Sequence, residues 1–93
     1  MPHSPTVVLY RRAGCHLCDE ARATLDAILA ARRETPPIEE RDIDLDEELR
    51  QRFMTTIPVV EIGDRRYELA VSPTKLRRFV AEALDAQSGG SAG

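Results

Sequence analysis

Leu9-Tyr10-Arg11-Arg12-Ala13-Gly14-Cys15-His16-Leu17-Cys18-Asp19-Glu20-Ala21 spans a boundary between two kinds of sequence. On its N-terminal side, Thr6 to Tyr10 is a short aliphatic and β-branched run, the pattern of a strand buried on both faces. Arg11 to Gly14 interrupts that run. From His16 to about Arg33 apolar residues recur at helical spacing. Leu17, Ala21, Thr24, Leu25, Ile28 and Leu29 make one stripe, with Asp19, Glu20, Arg22, Asp26 and Arg32 elsewhere. Cys15 and Cys18, the only cysteines of the chain, therefore fall where a strand gives way to a helix.

Pro36-Pro37 stops the helix. Ile38 to Asp44 alternates apolar and charged residues as a strand near a sheet edge does, with Ile38, Ile43 and Leu45 as its apolar members. Asp46 to Phe53 reads as a short helix whose first turn carries acids, in keeping with the helix dipole. Ile57 to Ile62 is a further strand, Gly63-Asp64 a turn, and Arg65 to Leu69 the returning hairpin strand. Ser72-Pro73 supplies an N-cap and a first helical residue for a helix to about Ala86, with Leu76, Phe79, Val80, Ala83 and Leu84 as its buried stripe. The order βαβαββα predicts an α/β fold, one four-stranded mixed sheet with helices on both faces. Residues 1–86 make a single domain, and the small polar stretch 87–93 reads as a disordered tail.

A chain of 93 residues has room for one compact domain. With 42% hydrophobic and 31% charged residues but only 4% aromatic and no Trp, its core must be aliphatic. The net charge of −3 and the interleaving of acids with bases (Arg41-Asp42, Asp64-Arg65) argue against a nucleic-acid surface, which needs a basic stripe. Val7 to Tyr10 is too short for a signal-peptide core or a membrane span, so a cytoplasmic protein with no membrane partner is expected. In that compartment a cysteine pair is more often catalytic or metal-binding than a structural staple.

The free N–H groups and positive dipole end at a helix start stabilise an anion, so a thiolate there is favoured. Cys15, at the exposed end of the motif, is the expected nucleophile. Cys18, one helical turn on, is the expected resolving thiol, within bonding range of the first. Arg11, Arg12 and a protonated His16 would favour the Cys15 thiolate, and Asp19 and Glu20 would oppose it. A structural pair or half of a zinc site are the alternatives. Zinc needs four ligands, and beyond the cysteines only His16 and His3 offer themselves, so no metal site is expected.

Together with Thr56-Ile57-Pro58, this motif gives the chain a resemblance to glutaredoxins over about Thr6 to Leu84. It is most similar to a small bacterial glutaredoxin-like branch that carries a Gly-Cys-His-Leu-Cys-Asp-Glu-Ala segment. The resemblance implies a thioredoxin fold, thiol–disulfide exchange through Cys15 and Cys18, and a cis peptide bond at Pro58. In the family, the loop before that proline faces the cysteines and pairs with bound peptide or glutathione. Arg12 stands where many glutaredoxins carry a Lys that meets a glutathione carboxylate. Arg12, His16, Thr56, Ile57 and Pro58 are thus the expected substrate-contacting residues.

One departure bears on the reductant. The Gly-Gly-x-Asp segment that holds the γ-glutamyl end of glutathione is replaced by Ala70-Val71-Ser72-Pro73-Thr74-Lys75. The electron donor is therefore left open between glutathione, another low-molecular-weight thiol and a thioredoxin-reductase-like protein. No tightly bound cofactor is expected. The substrate is a disulfide-containing protein or small thiol compound, and the protein is expected to be monomeric. An iron–sulfur or metal carrier using the same cysteines, and a catalytically silent adaptor, are the competing readings.

Overall fold

The computed structural model describes residues 5–33 and 36–89. Its elements follow the predicted order: β1 (Val7–Arg11), α1 (His16–Arg32), β2 (Ile38–Asp42), a 3-10 turn (Ile43–Leu45), α2 (Glu47–Phe53), β3 (Val59–Ile62), β4 (Arg65–Tyr67) and α3 (Pro73–Gly89). The strands form one mixed sheet in the order β2-β1-β3-β4. β1 runs parallel to β2 and antiparallel to β3, and β3 and β4 are an antiparallel hairpin. Gly63 takes φ 62° in the hairpin turn, a conformation open to glycine at no steric cost.

Strand alternation divides the core between the two faces of the sheet. Val7, Leu9, Val60 and Ile62 pack on one face against Ala21, Leu25, Ile28 and Leu29 of α1 and Leu76, Val80, Ala83 and Leu84 of α3. Val8, Tyr10 and Val59 point the other way, to Ile43, Leu49 and Phe53, where the Tyr10 and Phe53 rings stand 4.7 Å apart. A fully buried Leu such as Leu25 contributes on the order of 2 kcal/mol by leaving water. In a domain this small both faces must therefore be covered.

Four local expectations are corrected. Leu17 does not join the α1 stripe. Cys18 does, at the i−3 position to Ala21, and it is fully buried while Leu17 is half-exposed. The second strand stops at Asp42, whose carboxylate accepts the Asp44 N–H at 2.9 Å and turns the chain into the 3-10 segment. Leu45 consequently points to solvent at 86% exposure instead of serving as a strand residue. The third strand begins at Val59, after Pro58, which has no N–H to give to the ladder. The fourth ends at Tyr67, short of Leu69, whose φ of 53° is incompatible with a strand.

α3 opens at Pro73 as expected, the Ser72 hydroxyl accepting the Lys75 N–H at 3.2 Å. It continues to Gly89, past the expected end at Ala86. The remainder of the expected tail, 90–93, lies outside the described residues, as does His3.

Candidate functional site

Gly14 holds φ 76° in the turn between β1 and α1, with open space where a Cβ would stand. Only the backbone conformation asks for glycine there. That turn delivers Cys15 to the N-cap of α1 in extended conformation (φ −86°, ψ 103°). The Cys15 N–H donates to the Arg12 carbonyl at 3.3 Å, and the Cys15 Sγ accepts the Cys18 N–H at 3.1 Å. Cys15 and Cys18 are joined by a disulfide, their Cα atoms 5.2 Å apart. Cys15 is half-buried, whereas Cys18 is wholly enclosed. An incoming group can therefore approach the pair only from the Cys15 side.

The charged neighbours pair with one another. Arg11, on the last residue of β1, reaches Asp19 at 2.7 Å and Glu40 at 3.8 Å. Asp19 sits in the first turn of α1, so Arg11 sets a positive charge against that carboxylate. His16 is 84% exposed and meets Glu20 at 3.0 Å, one turn along the helix surface. Arg12 makes a two-pronged contact with Asp44, 3.1 Å from Nε and 2.8 Å from Nη2. Of the expected substrate-contacting residues, Arg12 is thus already held by a carboxylate of this chain.

Thr56, Ile57 and Pro58 follow α2. Thr56 and Ile57 donate their N–H groups to the Phe53 carbonyl at 2.9 and 3.1 Å, which fastens the loop to the helix end. The Ile57–Pro58 bond is cis. Tyr10 pairs with Val59, so β1 ends where β3 begins. The proline loop and the turn carrying Cys15 therefore share one end of the sheet.

The segment after β4 joins the same end. Leu69 N–H donates to the Thr56 carbonyl and Ala70 N–H to the Pro58 carbonyl, each at 2.8 Å. Val71 then lines a small crevice with Leu17, Glu20, Ala21, Thr24 and Leu76, closing the circuit back to the cysteine motif. Three polypeptide segments, Arg12–Cys18, Thr56–Pro58 and Leu69–Val71, thus surround the disulfide end.

Two residues of this end escaped the sequence reading. Asp44 looked like a strand acid because the Ile43-Asp44-Leu45 pattern alternates. Its signal was the Asp42-x-Asp44 pair, which favours a turn. Leu69 looked like the last residue of a hairpin strand, and nothing in a lone leucine announces a left-handed backbone. Among the described residues no group of three or more His, Cys, Asp or Glu side chains is gathered as a metal site would require. No described helix is long and apolar enough to cross a membrane.

The sequence model of the glutaredoxin-like domain family (DUF836) matches residues 6–87. No functionally curated protein matches the chain. Among solved structures, a structural-genomics protein from X. campestris is similar at TM-score 0.68 and 26% identity, over 83% of this chain and 97% of that one. A Nitrosomonas europaea protein solved by NMR is similar at TM-score 0.59 and 28% identity, over 73% of this chain and 78% of that one. The oxidised mitochondrial thioredoxin 3 of Saccharomyces cerevisiae shares the fold, at TM-score 0.63 and 15% identity over 86% of this chain and 79% of that one. With its four-stranded mixed sheet, three helices and close Cys15–Cys18 pair suited to a redox role, the chain belongs to the glutaredoxin-like (DUF836) family of thioredoxin-fold proteins.

Proposed function

We propose that the protein is a dithiol–disulfide oxidoreductase that reduces disulfides through Cys15 and Cys18. The observation that carries this reading is the asymmetry of the pair: an accessible sulfur on a helix N-terminus bonded to a sulfur enclosed beneath it. In the reduced protein the Cys15 thiolate attacks one sulfur of a substrate disulfide. That bond breaks, a Cys15–substrate disulfide forms, and the departing sulfur takes a proton from water. Cys18 then gives up its proton and attacks the Cys15 Sγ. The intramolecular disulfide forms and the second substrate thiol leaves. The substrate gains two electrons and two protons, and the protein loses them.

Return to the dithiol needs a thiol reductant, either glutathione, another low-molecular-weight thiol or a thioredoxin-reductase-like protein. No bound cofactor enters the cycle. We place this activity in the cytoplasm, carried by a monomer acting on protein or small-molecule disulfides.

The test is single-turnover exchange with a small disulfide, quenched by alkylation and read by mass spectrometry. Cys15→Ser should abolish exchange, and Cys18→Ser should accumulate the mixed disulfide at Cys15. Wild-type turnover in both variants would sink the proposal. Reduction of the oxidised protein by glutathione, compared with NADPH plus thioredoxin reductase, identifies the donor class.

A further inference from the structure

We infer that the disulfide end of the sheet is specific for a polypeptide disulfide flanked by uncharged, apolar residues, and that Asp44 is a specificity-determining residue that excludes carboxylate-bearing small thiols. The inference rests on the exchange activity proposed above and assigns its substrate class.

The first observation is electrostatic. A thiol compound with free carboxylates is held beside an active-site cysteine by cations, and here the cations flanking the motif are engaged. Arg11 is paired with Asp19 and Arg12 with both oxygens of Asp44, and the exposed His16 imidazole lies 3.0 Å from Glu20. The Arg12–Asp44 contact is the geometry a guanidinium offers an incoming carboxylate. The backbone of Asp44 is set in the 3-10 turn, where its N–H donates to the Asp42 carboxylate at 2.9 Å. A ligand carboxylate has to displace one that is already in place.

The second observation is independent of charge. Leu69 holds φ 53° and is half-exposed. A side-chain-bearing residue in the left-handed region is disfavoured, and this one buries little in return. The backbone is held there by the Leu69 N–H bond to Thr56, and the next N–H but one, that of Val71, returns to the Leu69 carbonyl at 2.7 Å. The result presents Leu69 and Val71, both half-exposed, beside the proline loop, with half-exposed Leu17 across the crevice that Val71 lines. These half-exposed aliphatic side chains, at the same end of the sheet as Cys15, suit apolar neighbours of a substrate cysteine.

Three probes test this on the reduced full-length protein at low ionic strength: glutathione disulfide, the neutral hydroxyethyl disulfide, and the disulfide of a blocked Leu-Cys-Val peptide. The wild type should exchange fastest with the peptide and slowest with glutathione disulfide. Asp44→Ala should raise the glutathione-to-hydroxyethyl rate ratio about two- to fivefold, an effect lost in high salt. Leu69→Gly should lower the peptide-to-hydroxyethyl ratio. Using ratios removes any general change in Cys15 reactivity or folding. A wild-type preference for glutathione disulfide, or ratios unmoved by both substitutions, would overturn the specificity proposal while leaving the exchange activity intact. Absence of exchange with all three probes would overturn the exchange reading and this one with it.

Discussion

Cys15 Sγ accepts the backbone N–H of Cys18 at 3.1 Å, so the half-buried cysteine of the pair also caps the helix that contains its partner. An N-cap acceptor satisfies one of the donors a helix start leaves open, and its loss costs about 1 kcal/mol. Capping and chemistry can be separated by comparing Cys15→Ser with Cys15→Ala, since neither can form the disulfide. The serine variant retains a capping oxygen. Under reducing conditions, urea unfolding should find it more stable than the alanine variant by about 1 kcal/mol. Equal stabilities would show that the contact contributes nothing to the helix start.

Asp46 plays the same part for α2, with its Oδ1 accepting from Glu48 N at 3.0 Å and Leu49 N at 3.2 Å. This helix is short and ends at Phe53, whose carbonyl fastens Thr56 and Ile57. Asp46→Ala should therefore lower stability by about 1 kcal/mol in chemical denaturation. It should also speed amide hydrogen exchange at Thr56 and Ile57 relative to β1. Unchanged exchange there would mean that the proline loop does not depend on the helix end.

The fold was legible wherever pattern and punctuation agreed. Ser72-Pro73 marked the start of α3 because both residues have one favoured place in a helix, and the structure puts them there. The α1 stripe was readable from Ala21 onward because four buried residues, Ala21, Leu25, Ile28 and Leu29, share the helical period. Leu17 was misplaced because one leucine near a helix start fits the period almost as well as its neighbour. The strand ends were less legible, since what stops β2 is a side-chain contact from Asp42 and what stops β4 is the backbone angle of Leu69. The cysteines and Pro58 carried their own chemical signals. Arg12 did not announce its partner, because Asp44 lies 32 residues away and only the parallel pairing of β1 with β2 brings them together.

Leu69 gives a stability test that contacts alone would not suggest. Elsewhere, replacing Ala by Gly destabilises, since glycine loses more freedom on folding. At φ 53° the order should reverse, because Ala keeps the Cβ that the left-handed region disfavours. Leu69→Gly should be more stable than Leu69→Ala by about 1 kcal/mol in thermal or urea unfolding. Alanine matching or exceeding glycine would show that the conformation relaxes once the leucine side chain is gone.

Tyr10 provides a pH-dependent signature of the second core cluster. Burial raises its pKa above the ordinary 10.0, and the hydrogen bond its hydroxyl donates to Glu61 at 2.8 Å, with the charge of that carboxylate, raises it further. The folded protein therefore keeps the phenolic proton to higher pH than the unfolded chain. With more protons bound in the native state, stability falls as pH rises. The contribution is complete below about pH 10 and is lost as pH climbs through the raised value. Urea unfolding of the oxidised protein, in which neither cysteine titrates, should show a decline from about pH 10 upward. Tyr10→Phe should flatten that decline, while at neutral pH it loses about 1 kcal/mol with the hydrogen bond to Glu61. An alkaline slope as steep in the phenylalanine variant as in the wild type would place the titrating group elsewhere.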